Sequence, residues 1–141
     1  MKQANKNHIF IDTNILIGAC ANKETDQKCL NYLFSLQGKK LYISALSIAQ
    51  FVSVFQKKLN NEAIKKEVRY LQSKFNILSF TENDINDSLH FKYSDIEDSI
   101  QYIVSQKFNC AYIITNNKKD YANFLPIVAL LPTQVRIISK D

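Results

Sequence analysis

Short runs of β-branched and aromatic residues alternate with amphipathic segments of helix length along this chain, and no other feature restricts the fold as much. His8–Asp12 (HIFID), Leu41–Ser44, Asn76–Phe80 (NILSF) and Ala111–Thr115 (AYIIT) read as strands, and Val135–Ser139 (VRIIS) as a fifth. Between them the spacing predicts helices from Thr13 to Ala21, from Thr25 to Gln37 with Gly38 as C-cap, and from Ala45 to Leu59. Further helices start at Asn60 or Asn61, at Thr81 and at Ser94. Ser44 or Ser47 is a cap for the third of these helices, and Thr81 forms a capping box with Asp84. Cys29, Leu30, Leu33 and Phe34 give one helix an apolar face; Ile48, Phe51, Val52 and Phe55 do the same for another. The order β α α β α α β α α β α β implies an α/β fold in three layers, a central parallel sheet of four or five strands flanked by helices. Only two glycines and two prolines argue against a turn-rich all-β sandwich.

The 141 residues fit one domain spanning residues 1–141, without internal repeat or linker. At 46% hydrophobic residues the chain can bury a core, and no apolar run reaches the ~18 residues of a membrane span. The polar start from Met1 to His8 lacks the apolar stretch of a signal peptide, so a cytoplasmic location is expected. Cys20, Cys29 and Cys110 are scattered and odd in number, as expected of free thiols rather than a disulfide or zinc site. The net charge of +5, with doublets such as Lys57–Lys58 and Lys118–Lys119, favours a polyanionic partner.

In an open parallel sheet, ligands bind at the carboxyl ends of the strands, near the point where strand order reverses. Two predicted strand ends carry chemistry: Asp12–Thr13–Asn14 after the first, and Thr115–Asn116–Asn117 with Asp120 after the fourth. Asp95, Glu97 and Asp98 open the helix just before that fourth strand. Carboxylates sharing one crevice repel each other, and a hard divalent cation relieves that conflict. Each residue also has a plainer role. Asp12 suits a helix N-cap, Asn117 a turn and Asp120 a cap. Asp95 and Glu97 suit helix-start electrostatics, with Glu97 as capping-box partner of Ser94. Asp98 lies nearly opposite the stripe formed by Ile96, Ile100, Ile103 and Val104, as a solvent-facing acid would.

IFIDTNILI, ISALSIAQ, DIEDSIQY and IITNNKKDY, in that order and spacing, resemble the four signature regions of the PIN-domain family, which includes the VapC-like toxins. The resemblance covers about residues 8–125. It implies a single PIN-like domain, a magnesium- or manganese-dependent endoribonuclease, a small antitoxin protein as partner, RNA as substrate and a possible homodimer, with no membrane association. It also implies that Asp12, Asp98 and Asn117 hold the metal and that Asp12, Asp98 and Asp120 are catalytic. Thr13, Asn14, Gln50 and Thr115 would support them. Tyr121 matches an aromatic position of the family and reads as packing. Two positions depart from the family pattern: Gln50 stands where a glutamate is usual, and Asn117 where toxin-like members often have aspartate. Both keep an oxygen donor and lose a negative charge, so weaker metal affinity is expected.

Three classes of function follow. The first is a metal-dependent RNA phosphodiesterase acting as a toxin. The second is a catalytically weak or inactive PIN fold that binds RNA or protein. Phosphoryl transfer on small molecules or proteins ranks last, because Asn14 occupies the second position of the Asp-x-Asp that a haloacid-dehalogenase-like phosphatase needs.

Overall fold

The computed structural model describes residues 3–92 and 94–139. Its centre is a five-stranded sheet built from β1 (Asn5–Ile11), β2 (Lys40–Ser44), β3 (Asn76–Leu78), β4 (Cys110–Ile114) and β5 (Val128–Leu130). The strand order is β3-β2-β1-β4-β5 and every pairing is parallel. From β1 the chain moves outward through β2 to β3, then returns to the other side of β1 for β4 and β5. The reversal therefore lies between β1 and β4.

Among the described residues six helices cross between the strands: α1 (Thr13–Cys20), α2 (Glu24–Ser35), α3 (Ala45–Phe55), α4 (Asn61–Lys74), α5 (Glu82–Ser88) and α6 (Ile96–Lys107). Alternate residues of each central strand feed opposite faces of the sheet. Ile9, Ile11, Ile43 and Ile114 join Ile15, Leu33 and Phe51 in one core. Phe10, Tyr42 and Ile113 join Ile100, Val104 and Tyr121 in the other. The apolar run of residues 9–11 that ends β1 is thus explained by burial on both sides. The three layers expected from the alternation are present.

Helix starts follow the short polar residues ahead of them. Ser44 accepts from the Leu46 N–H at 3.0 Å, and Asn60 accepts from the Ala63 N–H at 2.8 Å. Thr81 and Asp84 form the expected reciprocal box. Asp84 does more than cap, because its carboxylate also pairs with Lys107 at the end of α6 and so ties α5 to α6. Burial pushes the Asp84 carboxyl up, but Lys107 and the Thr81 N–H outweigh that and hold it below the ordinary 3.8. A carboxyl depressed by folding adds stability above its unfolded pKa, and that stability is lost as pH falls through the folded value. Asp84→Ala is expected to destabilise the protein at pH 7 by about 1–2 kcal/mol, a fall of roughly 5 °C in Tm. The gap between variant and wild type should close as melts are taken down toward pH 3. A constant gap would place the effect in packing instead.

Several boundaries differ from the sequence expectation. Residues 132–137, where a fifth strand is predicted over Val135–Ser139, form a 3₁₀ helix, and the fifth strand is Val128–Leu130. Pro132 at the first turn is already set for helical φ, and the Gln134 side chain accepts from the Leu131 N–H at 2.9 Å. Val135 and Ile138, three apart, enter the core while Ile137 is 63% exposed. The segment thus repeats by helical turns and does not alternate. Helix α2 ends at Ser35, and Gly38 is not its cap but lies in the following turn at φ 78°, a conformation that suits glycine. Helix α3 stops at Phe55, short of Leu59. Asp95, not Ser94, caps α6, accepting from the Asp98 N–H at 2.8 Å. All three cysteines are free thiols. No helix among the described residues is long and apolar enough to cross a membrane.

Candidate active site

The strand reversal sets the site. The Asp12 N–H donates to the Ile114 carbonyl at 2.9 Å, which locks the first residue after β1 to the end of β4. Asp12 is the N-cap of α1, in extended backbone, and is 7% exposed. Its Oδ1 accepts from the Thr13 N–H at 2.8 Å. Its Oδ2 accepts from the Thr115 hydroxyl at 2.7 Å and from the Asn14 amide at 3.1 Å. The cap role and the site role therefore fall on one side chain. Burial raises the Asp12 carboxyl above its usual range, although hydrogen bonds from Thr115, Thr13, Tyr121 and Asn14 oppose the rise.

Asp98 approaches from the first turn of α6. It does not face open solvent as a helical wheel suggests, because the 3₁₀ helix Lys118–Tyr121 packs against this end of α6. Tyr121 is 1% exposed, and its hydroxyl donates to Asp98 Oδ1 at 3.2 Å. Asp98 is pushed up to about 7, first by burial and then by the nearby charges of Asp95 and Asp12, with a smaller contribution from Asp120. Tyr121 itself is driven strongly upward by burial and by Asp12 and Asp98, so it stays a protonated donor between the two acids. The sequence reading of Tyr121 as packing is incomplete: the ring packs against Phe124, and the hydroxyl serves the acids.

A second layer of polar groups holds α1, α3 and α6 together beneath the acids. The Thr13 hydroxyl donates to Gln50 Oε1 at 2.6 Å and lies 2.7 Å from Ser47 Oγ. The Gln101 amide donates to Thr13 Oγ1 at 3.2 Å and to Ser47 Oγ at 3.0 Å. The Gln50 amide donates to Glu97 Oε2 at 2.8 Å, so Glu97 reaches across to α3 and is not the capping-box partner expected from sequence. Gln101 was not anticipated, and Ser47 was read only as a candidate helix cap. Their signal is spacing: Ser47 precedes Gln50 by three residues and Gln101 follows Asp98 by three, placing each pair on one helix face.

Above this layer opens a cleft of about 580 Å³. Asp12, Thr13, Asn14, Gln50, Asp98, Asn117 and Asp120 all border it, together with Asp95, Glu97 and Gln101. Thr115 is fully buried behind Asp12, and its hydroxyl also accepts from the Asn117 N–H at 2.9 Å. Asn117 and Asp120 are exposed at the rim. Five acids and, among the described residues, no lysine or arginine line the cleft. No group of three or more His, Cys, Asp or Glu among the described residues is placed to enclose a metal ion by itself. Two converging carboxylates with amide oxygens at the rim fit a hard cation that keeps much of its water, as magnesium does. They do not fit a typical zinc site, whose ligand set includes histidine or cysteine, because among the described residues neither lines this cleft.

Fold and cleft together define an α/β protein with a cation-attracting acidic site at the switch point of a parallel sheet. The chain belongs to the PIN domain family, whose model matches residues 8–119. A curated relative, Ribonuclease VapC1 of Aquifex aeolicus (strain VF5), is 21% identical over 142 residues, covering 92% of this chain and 93% of its own. Among solved structures, a toxin–antitoxin complex from Klebsiella pneumoniae superposes with a TM-score of 0.68 at 22% identity, over 88% of this chain and 97% of that one. VapBC2 from Rickettsia felis, bound to a DNA fragment from its promoter, gives 0.67 at 15% identity, over 88% and 98%. DNA-bound VapBC from Salmonella typhimurium gives 0.66 at 16% identity, over 89% and 98%. At these identities the superpositions establish the fold alone.

Proposed function

We propose that this protein is a divalent-metal-dependent endoribonuclease and the toxin of a type II toxin–antitoxin pair. One observation carries the proposal. Asp12 and Asp98 converge on a single cleft, both are raised by burial, and no cationic side chain among the described residues lines that cleft. Carboxylates left this way attract a cation strongly. The curated relative is named a ribonuclease, and the structural neighbours are toxins with their antitoxins. On that footing the substrate is RNA, the partner is a small antitoxin, a homodimer is possible and the location is cytoplasmic.

Asp12 and Asp98 would hold the ion, Mg²⁺ or Mn²⁺, with the Asn117 side-chain oxygen completing its protein ligands. When bound, such an ion supplies positive charge to a phosphodiester and lowers the pKa of water. The chain's own groups do the remainder. Thr13, Asn14 and Thr115 fix the direction of both Asp12 oxygens. Tyr121 fixes Asp98. Asp120, exposed at the rim, would take the proton released when water attacks phosphorus. Lys118 and Lys119 on the adjoining 3₁₀ helix are exposed and would engage RNA phosphates, which makes binding salt-sensitive.

Gln50 and Asn117 favour a second reading, a PIN fold that binds RNA or protein with little or no catalysis. A manganese titration separates the two. The nuclease reading expects cleavage of single-stranded RNA that saturates with Mn²⁺ and stops in EDTA. Binding of uncleaved RNA that is indifferent to metal would replace it with the second reading.

A further inference from the structure

Asp26, in the first turn of α2, is a fully buried carboxylate outside the cleft. Its closest cation, the Lys23 ammonium, lies 3.8 Å away on a half-exposed side chain. The Asn116 amide donates to both Asp26 oxygens, at 3.2 and 3.4 Å. A helix N-terminus attracts an acid, but that attraction is satisfied at the surface and does not account for complete burial. The packing around Asp26 is committed too: a Cβ on Gly18 would fall 1.7 Å from Asp26 Oδ2, so α1 carries glycine where the acid passes.

Asn116 connects this acid to the site. Its backbone N–H donates to Asn14 Oδ1 at 3.1 Å. The other end of the Asn14 amide donates to Asp12 Oδ2 at 3.1 Å and lies 3.4 Å from the Thr115 hydroxyl. An asparagine held at its oxygen has no freedom to turn its nitrogen away. The series Asp26, Asn116, Asn14, Asp12 therefore runs from a helix that does not line the cleft to a carboxylate that does. We propose that Asp26 is a positioning residue of the site: by anchoring the Asn116 side chain it fixes the loop after β4, and through Asn14 it sets the orientation of the Asp12 carboxylate. This rests on the reading of the cleft as a metal site, and it adds a residue that lies outside the four signature regions.

The test exchanges the partners. Asn116→Asp places two carboxylates face to face, and the double variant Asp26→Asn/Asn116→Asp restores one acid and one amide in the reverse order. Mn²⁺ affinity is read by electron paramagnetic resonance of free Mn²⁺, and the Asn14 side-chain amide is followed by NMR in metal-free protein. Asn116→Asp is expected to weaken Mn²⁺ binding about tenfold and to shift the Asn14 resonance. The double variant is expected to recover most of both, the non-additivity that marks a direct pair. If Asn116→Asp does not melt cooperatively, Asn116→Ser, which removes the bond without adding charge, carries the same expectation for affinity and resonance. Wild-type affinity and an unmoved resonance in the single variant, or a double variant no better than it, would overturn the proposal. Wild-type protein that binds no Mn²⁺ would defeat the nuclease reading, and the Asn14 resonance in the three proteins would still decide the role of Asp26.

Discussion

Asp12→Asn is expected to lower metal-dependent RNA cleavage by roughly 10²–10³-fold or more while leaving the protein folded. The substitution preserves shape. An asparagine oxygen can still accept from the Thr13 N–H or from Thr115, the bonds that hold residue 12 at the start of α1. What disappears is the charge. Because burial raises the Asp12 carboxyl, the charged form is held at a cost to the metal-free fold, and its removal should leave Tm unchanged or higher. Cleavage assays with Mn²⁺, paired with melts in EDTA, check both halves. Activity within a few-fold of wild type would remove Asp12 from the chemistry. A large fall in Tm would mean that the capping role dominates.

Asp98→Asn is expected to show the opposing effects most clearly: loss of cleavage together with a more stable metal-free protein at neutral pH. The folded carboxyl titrates near 7 against an ordinary value of 3.8, so between these values the folded state binds more protons than the unfolded. Stability of the metal-free protein should therefore fall as pH rises from about 4 through about 7, and level off above. The asparagine variant lacks this fall. Asp98 is half-buried, and after allowance for solvent screening the gain at pH 8 is about 1 kcal/mol, roughly 3 °C in Tm. Melts in EDTA at pH 5, 6, 7 and 8 test this. Parallel curves for the variant and wild type would show that Asp98 does not carry the strain. Divalent metal should raise the wild-type Tm most at high pH, where no proton competes for the carboxylate.

The first four strands and the six helices were legible because their patterns repeat over enough residues to be unambiguous. The last three residues of β1 are apolar on both faces, and Thr81 with Asp84 announces a helix start. The end of the chain was less legible for the same reason inverted. VRIIS is short, and its residues satisfy an alternating pattern as well as a turn-spaced one, so Pro132 and the Gln134 bond to the Leu131 N–H decide between them. Of the site, the acids could be read from their places after strands and at a helix start. Thr13, Asn14 and Thr115, which orient Asp12, came with the family resemblance, but the other groups that position the acids could not be read. Tyr121 looks like one more aromatic until its 3₁₀ helix, 23 residues on in sequence, brings its hydroxyl to Asp98. Asp26 looks like a helix-start acid until Asn116, 90 residues later, closes over it. Gln101 occupies a buried face of α6 only because Thr13 and Ser47 meet it there. Such roles are set by tertiary contact, which spacing along one helix does not encode.

The proposed metal site requires oxygens of residues 12 and 98 to converge on one divalent ion. The most direct measurement is an anomalous difference map from a crystal of the protein soaked in Mn²⁺. A strong peak bonded to both carboxylates is expected, as is its loss in Asp12→Asn crystals treated the same way. Well-ordered wild-type carboxylates with no peak between them, or a manganese ion bound elsewhere in the cleft without contact to Asp12, would contradict it.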